Sequence, residues 1–416
     1  MTKIAGAEIS QLASEYGTPL YVYDENRLRS TFQTFASHFR SEQFETGVLY
    51  ASKAFSCKAI VRLASEYGLY LDVVSGGELY TAKQAGFDCS NIFFHGNNKS
   101  KEELLMALEY GVGTIIVDNV FEARLLKELA EQEKKSVHTL LRVNPGIEAH
   151  THKYIVTAHV DSKFGISFLN EDEIAEAINV MRSSEYLCFD GLHAHIGSQI
   201  FDRQAFAEEI RKMFAFARHL REAYAFESNT INLGGGFAVR YTAKDAPIPV
   251  DEVCAFILKT CEAENTDGMI KRVLIEPGRS LVAEAGYTVY TVGQIKKTPN
   301  RLYAFVDGGM ADNIRPALYQ AEYDAFIDGK EDAPAAAEYT IAGKCCESGD
   351  ILIQSIPLPE VKPGDLLVMK TTGAYGYAMA SHYNRLPNPA VVFVKDGTGR
   401  IAVKRESYEH LLSLDE

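Results

Sequence analysis

Short stretches scattered along the chain carry the residue types that do chemistry. Tyr50-Ala51-Ser52-Lys53 closes an apolar run with a lysine. An amine desolvated at such a place becomes a nucleophile. The plainer reading is a solvated lysine whose stem lies along apolar surface, and Lys58 reads that way. His193-Ala194-His195 places imidazoles at i and i+2, one face of a strand. That spacing suits a metal pair, an aromatic platform for a planar ligand, or two hydrogen-bonded structural histidines. Gly234-Gly235-Gly236 lets backbone N–H groups approach a ligand, and a following helix would add its positive end. Alone it is only a tight turn. Glu276-Pro277-Gly278-Arg279-Ser280 joins a carboxylate to a guanidinium, which a structural ion pair also explains. Gly343-Lys344-Cys345-Cys346-Glu347-Ser348-Gly349-Asp350 sets two adjacent thiols beside acids. Redox pair, half a metal site, packed core and acid–base chemistry are all open there. His150-Thr151-His152 lies in a polar stretch and reads as non-catalytic.

The elements that position these residues follow from periodicity. Eight short apolar runs, Val48–Ala51, Leu71–Val74, Ile92–His95, Thr114–Val117, Thr139–Val143, Phe189–His195, Thr230–Leu233 and Arg272–Ile275, are each followed by a stretch of helical period. Ile60, Leu63, Ala64 and Tyr67 form one apolar stripe stopped by Gly68. Ser100 with Glu103 predicts a capping box, with Gly111 ending that helix, and Asn170 with Glu173 predicts a similar start. Strand-then-helix repetition predicts an α/β fold, a (β/α)8 TIM-type barrel, against a doubly wound sheet. After Glu284 the runs Tyr287–Ile295, Leu302–Val306, Glu338–Ala342, Ile351–Ile356, Leu366–Lys370 and Ala390–Val394 read as strands without long helices between them. Asp396-Gly397-Thr398-Gly399 predicts a hairpin turn. The expected division is a barrel over 25–284, with 1–24 plus 285–416 as a mostly β domain that the strand Leu20–Tyr23 joins.

Composition sets the outer limits. A chain of 416 residues exceeds one ordinary core. Hydrophobic content of 46% with 24% charged residues is globular. A net charge of −14 disfavours nucleic acid and anionic membranes as partners. No apolar run is long enough to span a bilayer, the first residues do not read as a signal peptide, and seven scattered cysteines do not suggest a disulfide framework. A reducing cytoplasm fits best.

In a barrel, chemistry gathers at the C-terminal ends of the strands, and phosphate sites often follow strands seven and eight. The unusual residues fall there: Lys53 after the first strand, His193 and His195 at the sixth, the glycines after the seventh, Glu276 and Arg279 after the eighth. Amine, flat aromatic face, phosphate cradle and carboxylate together describe a site for pyridoxal 5'-phosphate. A zinc hydrolase on the same barrel would read His193 and His195 as ligands, but such barrels place their His-x-His on the first strand, where this chain has Lys53. No metal is expected.

The chain resembles the diaminopimelate decarboxylase family, within the alanine-racemase-like fold of pyridoxal phosphate enzymes. The resemblance spans nearly the whole chain through "YGTPLYVYDE", "YASKAF", "FHGNNKS", "RVNPGIEAHTH", "DSKFGI", "HAHIGSQI", "GGGF", "EPGRSLVAEAG", "VDGGMADNIRPALY", "GKCCESGD" and "TTGAYGYAMASHYN". It implies that Lys53 holds the cofactor as a Schiff base and His195 stacks on its ring. It implies that Ser198, Gly235, Gly236, Gly278 and Tyr375 surround the phosphate, and that Glu276 bonds the ring nitrogen. Arg279, Arg315 and Tyr319 would bind substrate, with Arg279 and Tyr375 serving both ligands. Cys346 would donate the proton and Glu347 would contact the distal amino-acid end, both from the other subunit of a homodimer. The implied reaction takes meso-2,6-diaminopimelate to L-lysine and CO2. The rivals are same-fold decarboxylases of carboxynorspermidine or a basic amino acid; alanine racemase usually sets an arginine where this chain has Glu276. Ala194, Ile314, Ala378 and His382 depart from frequent family residues without removing a charged or nucleophilic group. The strand Glu338–Ala342 runs straight into the thiol pair, so alternation assigns Cys346 to chemistry and Cys345 to packing.

Overall fold

A computed structural model describes residues 2–147 and 162–416. The pair His150 and His152 therefore lies outside the described residues. The chain forms two compact units: Phe32–Ala238 with Pro247–Gly278, and Met1–Thr31 with Val239–Ala246 and Arg279–Glu416.

The first unit is a closed barrel of eight parallel strands: Glu45–Ala51, Tyr70–Val73, Ile92–Phe94, Thr114–Val117, Val137–Asn144, Leu187–His193, Thr230–Asn232 and Arg272–Ile275. Each pairs with the next, and the eighth closes on the first through Arg272 opposite Glu45. Closure decides against the doubly wound alternative. The strands are largely apolar because both faces are covered, with buried polar exceptions such as Asp72, Asn144 and Asn232 near their C-terminal ends. Leu49, Phe93, Ile116, Leu140 and Leu274 pack together as buried neighbours from five strands.

The helix ends follow local chemistry. Ser100 and Glu103 make the reciprocal capping box of Lys101–Tyr110, and Gly111 ends that helix in the left-handed region at φ +71°. Lys58–Glu66 buries Ile60, Leu63 and Ala64, and Gly68 follows at φ +66°. Asn170 stands at the N-cap of Glu171–Arg182, where a start was expected, but without the capping bond. The helix instead carries three acids in its first turn, which favour its positive end. No helix follows the three glycines directly either; the next begins at Val250. The expected helix dipole behind that loop is therefore missing, because the chain first leaves the barrel unit at Val239.

The second unit is mostly β. Leu20–Asp24 pairs antiparallel with Gly286–Lys297 and parallel with Ala390–Lys395, so the N-terminal strand lies inside this sheet. Leu20, Val22, Val289, Val368 and Val392 form its buried cluster. The remaining expected strands are present at Leu302–Val306, Ala337–Ala342, Ile351–Leu358 and Leu366–Met369. Four more were not expected: the two-residue pair Lys3–Ile4 and Ala7–Glu8, Ala325–Ile327, too short to show a period, and the exposed edge strand Thr398–Val403. The hairpin turn centres on Asp396 and Gly397, at φ +50° and +83°, with Lys395 opposite Thr398. The turn is thus one step tighter than the expected span, as a two-residue Asp-Gly turn requires.

Candidate active site

Four barrel strands converge on one carboxylate. Glu276 follows the eighth strand and is buried. Its Oε1 accepts from Asn232 Nδ2 at 2.8 Å, and its Oε2 faces His193 Nε2 at 3.2 Å. His95, just past the third strand, brings Nε2 within 2.9 Å of Oε1 without the alignment of a hydrogen bond. The rings of His95 and His193 meet edge to face, 4.8 Å between centres. Asp72 of the second strand lies 3.7 Å from His95 Nε2.

The electrostatics follow from burial against pairing. Burial alone would raise the Glu276 carboxyl, but His95 and His193 outweigh it and hold the group well below the usual carboxylate range. Burial pushes His193 down to about 4, with Glu276 pulling the other way. His193 is therefore neutral near pH 7. Its Nδ1 has no hydrogen-bond partner among the described residues. Asp72 is raised by burial, opposed by His95 and reinforced by Glu276. At the centre of the barrel mouth the stable charge is the Glu276 carboxylate.

Lys53 stands in a short 3-10 turn after the first strand and is exposed. The desolvation expected of it is not supplied by the surrounding chain. Its cation still acts on His195, Asp72 and Glu78, which places the amine over the mouth. His195 lies just past the end of the sixth strand. Its Nδ1 accepts from Gly235 N at 3.1 Å, so the neutral ring carries its proton on Nε2. Burial first, then the charges of Lys53 and Arg142, hold it well below the ordinary imidazole range. His193 thus groups with His95 and Glu276, while His195 meets Gly235 instead. A second group, His138, Cys188 and Asp190, sits at the opposite, N-terminal strand ends, where Asp190 is already paired with His138 at 2.7 Å.

The glycine loop is built by close packing. Gly234 N donates to Asn232 Oδ1 at 3.0 Å and Gly235 N to His195, so two of its three N–H groups serve the protein itself. A Cβ on Gly235 would sit 2.3 Å from the Glu276 carbonyl oxygen, and one on Gly278 would sit 2.9 Å from the Ala51 Cβ. Ser198 is half-buried nearby in sequence, past His195.

In the β unit, Arg279 and Arg315 are buried among tyrosines. Arg279 donates to the Tyr241 hydroxyl and lies over the Tyr375 ring at 4.8 Å. Arg315 donates to the Tyr323 hydroxyl and lies over the Tyr241 ring at 4.8 Å. Tyr241 and Tyr323 meet edge to face at 5.3 Å. Arg315 has no carboxylate within ion-pair distance among the described residues. Burial opposes its charge, but the facing phenols Tyr323 and Tyr241 raise its pKa, so it stays cationic. Tyr319 is half-buried at the end of the five-residue helix that Arg315 opens. Tyr375 adopts φ +60°, uncommon for a bulky side chain.

The two thiols differ in burial, but not through strand alternation. The strand ends at Ala342, so alternation does not reach the cysteines. Asp350 shapes the loop: its Oδ2 accepts from Cys345 N at 2.8 Å and its Oδ1 from Met310 N at 2.6 Å. Cys345 is buried, and burial with the Asp350 charge pushes its thiol up to about 11. Cys346 is exposed, with its N–H on Asn384 Oδ1 at 2.7 Å. Glu347 is also exposed and turns back to accept from Gly349 N at 3.1 Å.

Residues 25–283 match the pyridoxal-dependent decarboxylases, over their pyridoxal binding domain. Diaminopimelate decarboxylase of Bacillus subtilis is 51% identical over 417 residues, covering 99% of this chain and 94% of that protein. This chain belongs to the diaminopimelate decarboxylase family. The crystal structure of the family member from M. jannaschii in complex with L-lysine superposes with a TM-score of 0.90 at 34% identity, covering 98% of this chain and 94% of that one. The Helicobacter pylori enzyme complexed with L-lysine gives 0.89 at 30% identity, covering 98% of each chain.

The family's cofactor is pyridoxal phosphate, and the barrel residues fit it. Glu276 is a buried carboxylate held well below the usual carboxylate range, with no lysine or arginine in ion-pair contact among the described residues, and it suits a protonated ring nitrogen. His195 is a neutral ring, and Lys53 is an exposed amine after the first strand. Sequence reading missed His95, Asn232, Tyr241 and Tyr323. His95 ends a strand, and the strand-end rule applied evenly would have marked it. Asn232 is a polar residue inside an apolar strand, which is a signal in itself. Nothing local distinguishes Tyr241 and Tyr323 among 22 tyrosines.

Proposed function

We propose that the chain removes one carboxylate from meso-2,6-diaminopimelate, giving L-lysine and CO2, the last step of lysine biosynthesis. The observation that carries this reading is the buried Arg315, a guanidinium whose side-chain partners are phenols and not acids. A planar fork left without a carboxylate suits one on the substrate. A substrate with an amino acid at both ends brings such a group far from its reacting carbon; ornithine and arginine do not. When bound, pyridoxal phosphate supplies a sink for the electron pair left by departing CO2. The chain's own groups do the rest. Lys53 would hold the cofactor through Nζ, and His195 would cover its ring face. Glu276 would hold a proton at the ring nitrogen. Gly235, Gly236, Ser198, Gly278 and Tyr375 would surround the phosphate. Arg279, Arg315 and Tyr319 would bind substrate oxygens, Glu347 its distal ammonium, and Cys346 would deliver the proton that replaces CO2.

Cys346 and Glu347 are read as contributions to a partner subunit's site, in a homodimer with shared active sites. Their exposure supports that reading. A cytoplasmic setting fits the seven free cysteines. No helix among the described residues is long and apolar enough to cross a membrane.

Turnover on diaminopimelate, carboxynorspermidine, ornithine and arginine tests the substrate. Diaminopimelate is expected to dominate. Arg315→Ala should raise KM for it about a hundredfold, the scale of a lost charge-assisted contact and the buried space left behind. Full activity in Arg315→Ala would remove Arg315 from the substrate site.

A further inference from the structure

Asn232 occupies an unusual place. It is buried at the end of the seventh barrel strand and makes two bonds in opposite senses. Its amide donates to Glu276 Oε1 at 2.8 Å, and its carbonyl oxygen accepts from Gly234 N at 3.0 Å. Glu276 N in turn donates to Gly234 O at 2.7 Å. The result is a closed ring: Gly234 backbone, Asn232 side chain, Glu276 side chain, Glu276 backbone, Gly234 again. The carboxylate and the glycine loop cannot turn independently of one another.

We infer that Asn232 is a positioning residue that fixes the direction in which Glu276 presents its carboxylate. This rests on the reading of Glu276 as the partner of the cofactor's ring nitrogen. The chemistry of the amide explains why an asparagine stands here. Asparagine offers a donor and an acceptor on one short, neutral side chain. Aspartate keeps the acceptor but sets a second carboxyl against Glu276, beside the buried Asp72 nearby. Leucine keeps the shape and loses both bonds. His193 faces the other oxygen at 3.2 Å and His95 approaches Oε1 at 2.9 Å, so the imidazoles flank the carboxylate. Among the described residues, Asn232 is the side chain that ties the carboxylate to the loop that lines the same mouth. A carboxylate held in one orientation needs no reorganisation when a ligand's N–H arrives, and preorganisation of this kind sharpens discrimination between ligands with and without that N–H.

The test is binding by the full-length chain, freed of cofactor and titrated with pyridoxal phosphate and with its analogue in which the ring nitrogen is a C–H. The parent protein is expected to prefer pyridoxal phosphate. In Asn232→Leu that preference should fall about tenfold, the scale of one hydrogen bond to a charged group, chiefly through weaker binding of pyridoxal phosphate. Asn232→Ser, whose hydroxyl is too short to make both bonds, should show the same loss and decides the matter where Asn232→Leu does not fold. A preference within about twofold of the parent in the folded variants overturns the inference, as does equal weakening of both compounds, which marks a purely structural role. Glu276→Gln separates the two levels. If it abolishes the preference while the Asn232 variants keep it, only the role of Asn232 fails. If Glu276→Gln itself keeps the preference, Glu276 does not serve the ring nitrogen, and both readings fall.

Discussion

Single residues divide sharply by environment. Cys345 and Cys346 are neighbours in sequence, yet one thiol is buried beside Asp350 and the other faces solvent. Cys346→Ala should keep cofactor binding and lose at least about a hundredfold in kcat, the usual contribution of a general acid. Cys345→Ala should keep most turnover and lose roughly 1 kcal/mol of stability from the buried thiol it removes; absorbance of the bound cofactor, turnover and urea unfolding read these outcomes. His193 gives a pH prediction. Its folded pKa lies at about 4, below the ordinary 6.5, so the stability it contributes is present above pH 6.5 and is lost as pH falls towards 4. The depressed Glu276 adds a loss in the same direction at lower pH. Over the His193 window the effect is about 3 kcal/mol in scale. His193→Gln should unfold with a flatter pH dependence between pH 6.5 and 4, and an unchanged slope would show that His193 is not the neutral buried group described.

At the scale of elements, most strands and several caps are visible in sequence because each rests on neighbours within a turn or two. The capping box at Ser100 and Glu103 needs only its own four residues. The failures have a common cause. Asn170 carries the right residue type but not the geometry, and the three glycines are not followed by a helix because the chain leaves the barrel at Val239. Closeness between loops is equally invisible in sequence. Gly235 looks like any turn glycine, yet the Glu276 carbonyl oxygen lies 2.3 Å from where its Cβ would be. Gly235→Ala should therefore cost roughly 1–3 kcal/mol in urea unfolding, as overpacking does, and weaken cofactor binding as well. A substitution without cost would mean that this loop yields readily.

For the whole molecule, the proposed shared-site homodimer makes a sharp statement. Mixed protomers of Cys346→Ala and Lys53→Ala, each inactive alone, should regain roughly a quarter of wild-type activity when subunits exchange at random, because half the dimers are hybrids with one intact site. No recovery in a mixture shown to contain hybrids would mean that thiol and lysine act within one chain.

The sequence by itself determined the (β/α)8 barrel, the β-rich unit with its N-terminal strand, the family, and which reactive residue types stand at four strand ends. Those features are local: a period, a strand end, a run of residues in order. Only the tertiary structure decided what surrounds each reactive group. Barrel closure brings His95, Asn232 and His193 onto Glu276 from three other strands. The excursion Val239–Ala246 carries Tyr241 into the β unit, where it touches both Arg279 and Arg315. Asp350 rather than strand alternation separates the two thiols. Such partners lie tens of residues apart, and no local pattern records a contact that exists only once the sheet has closed.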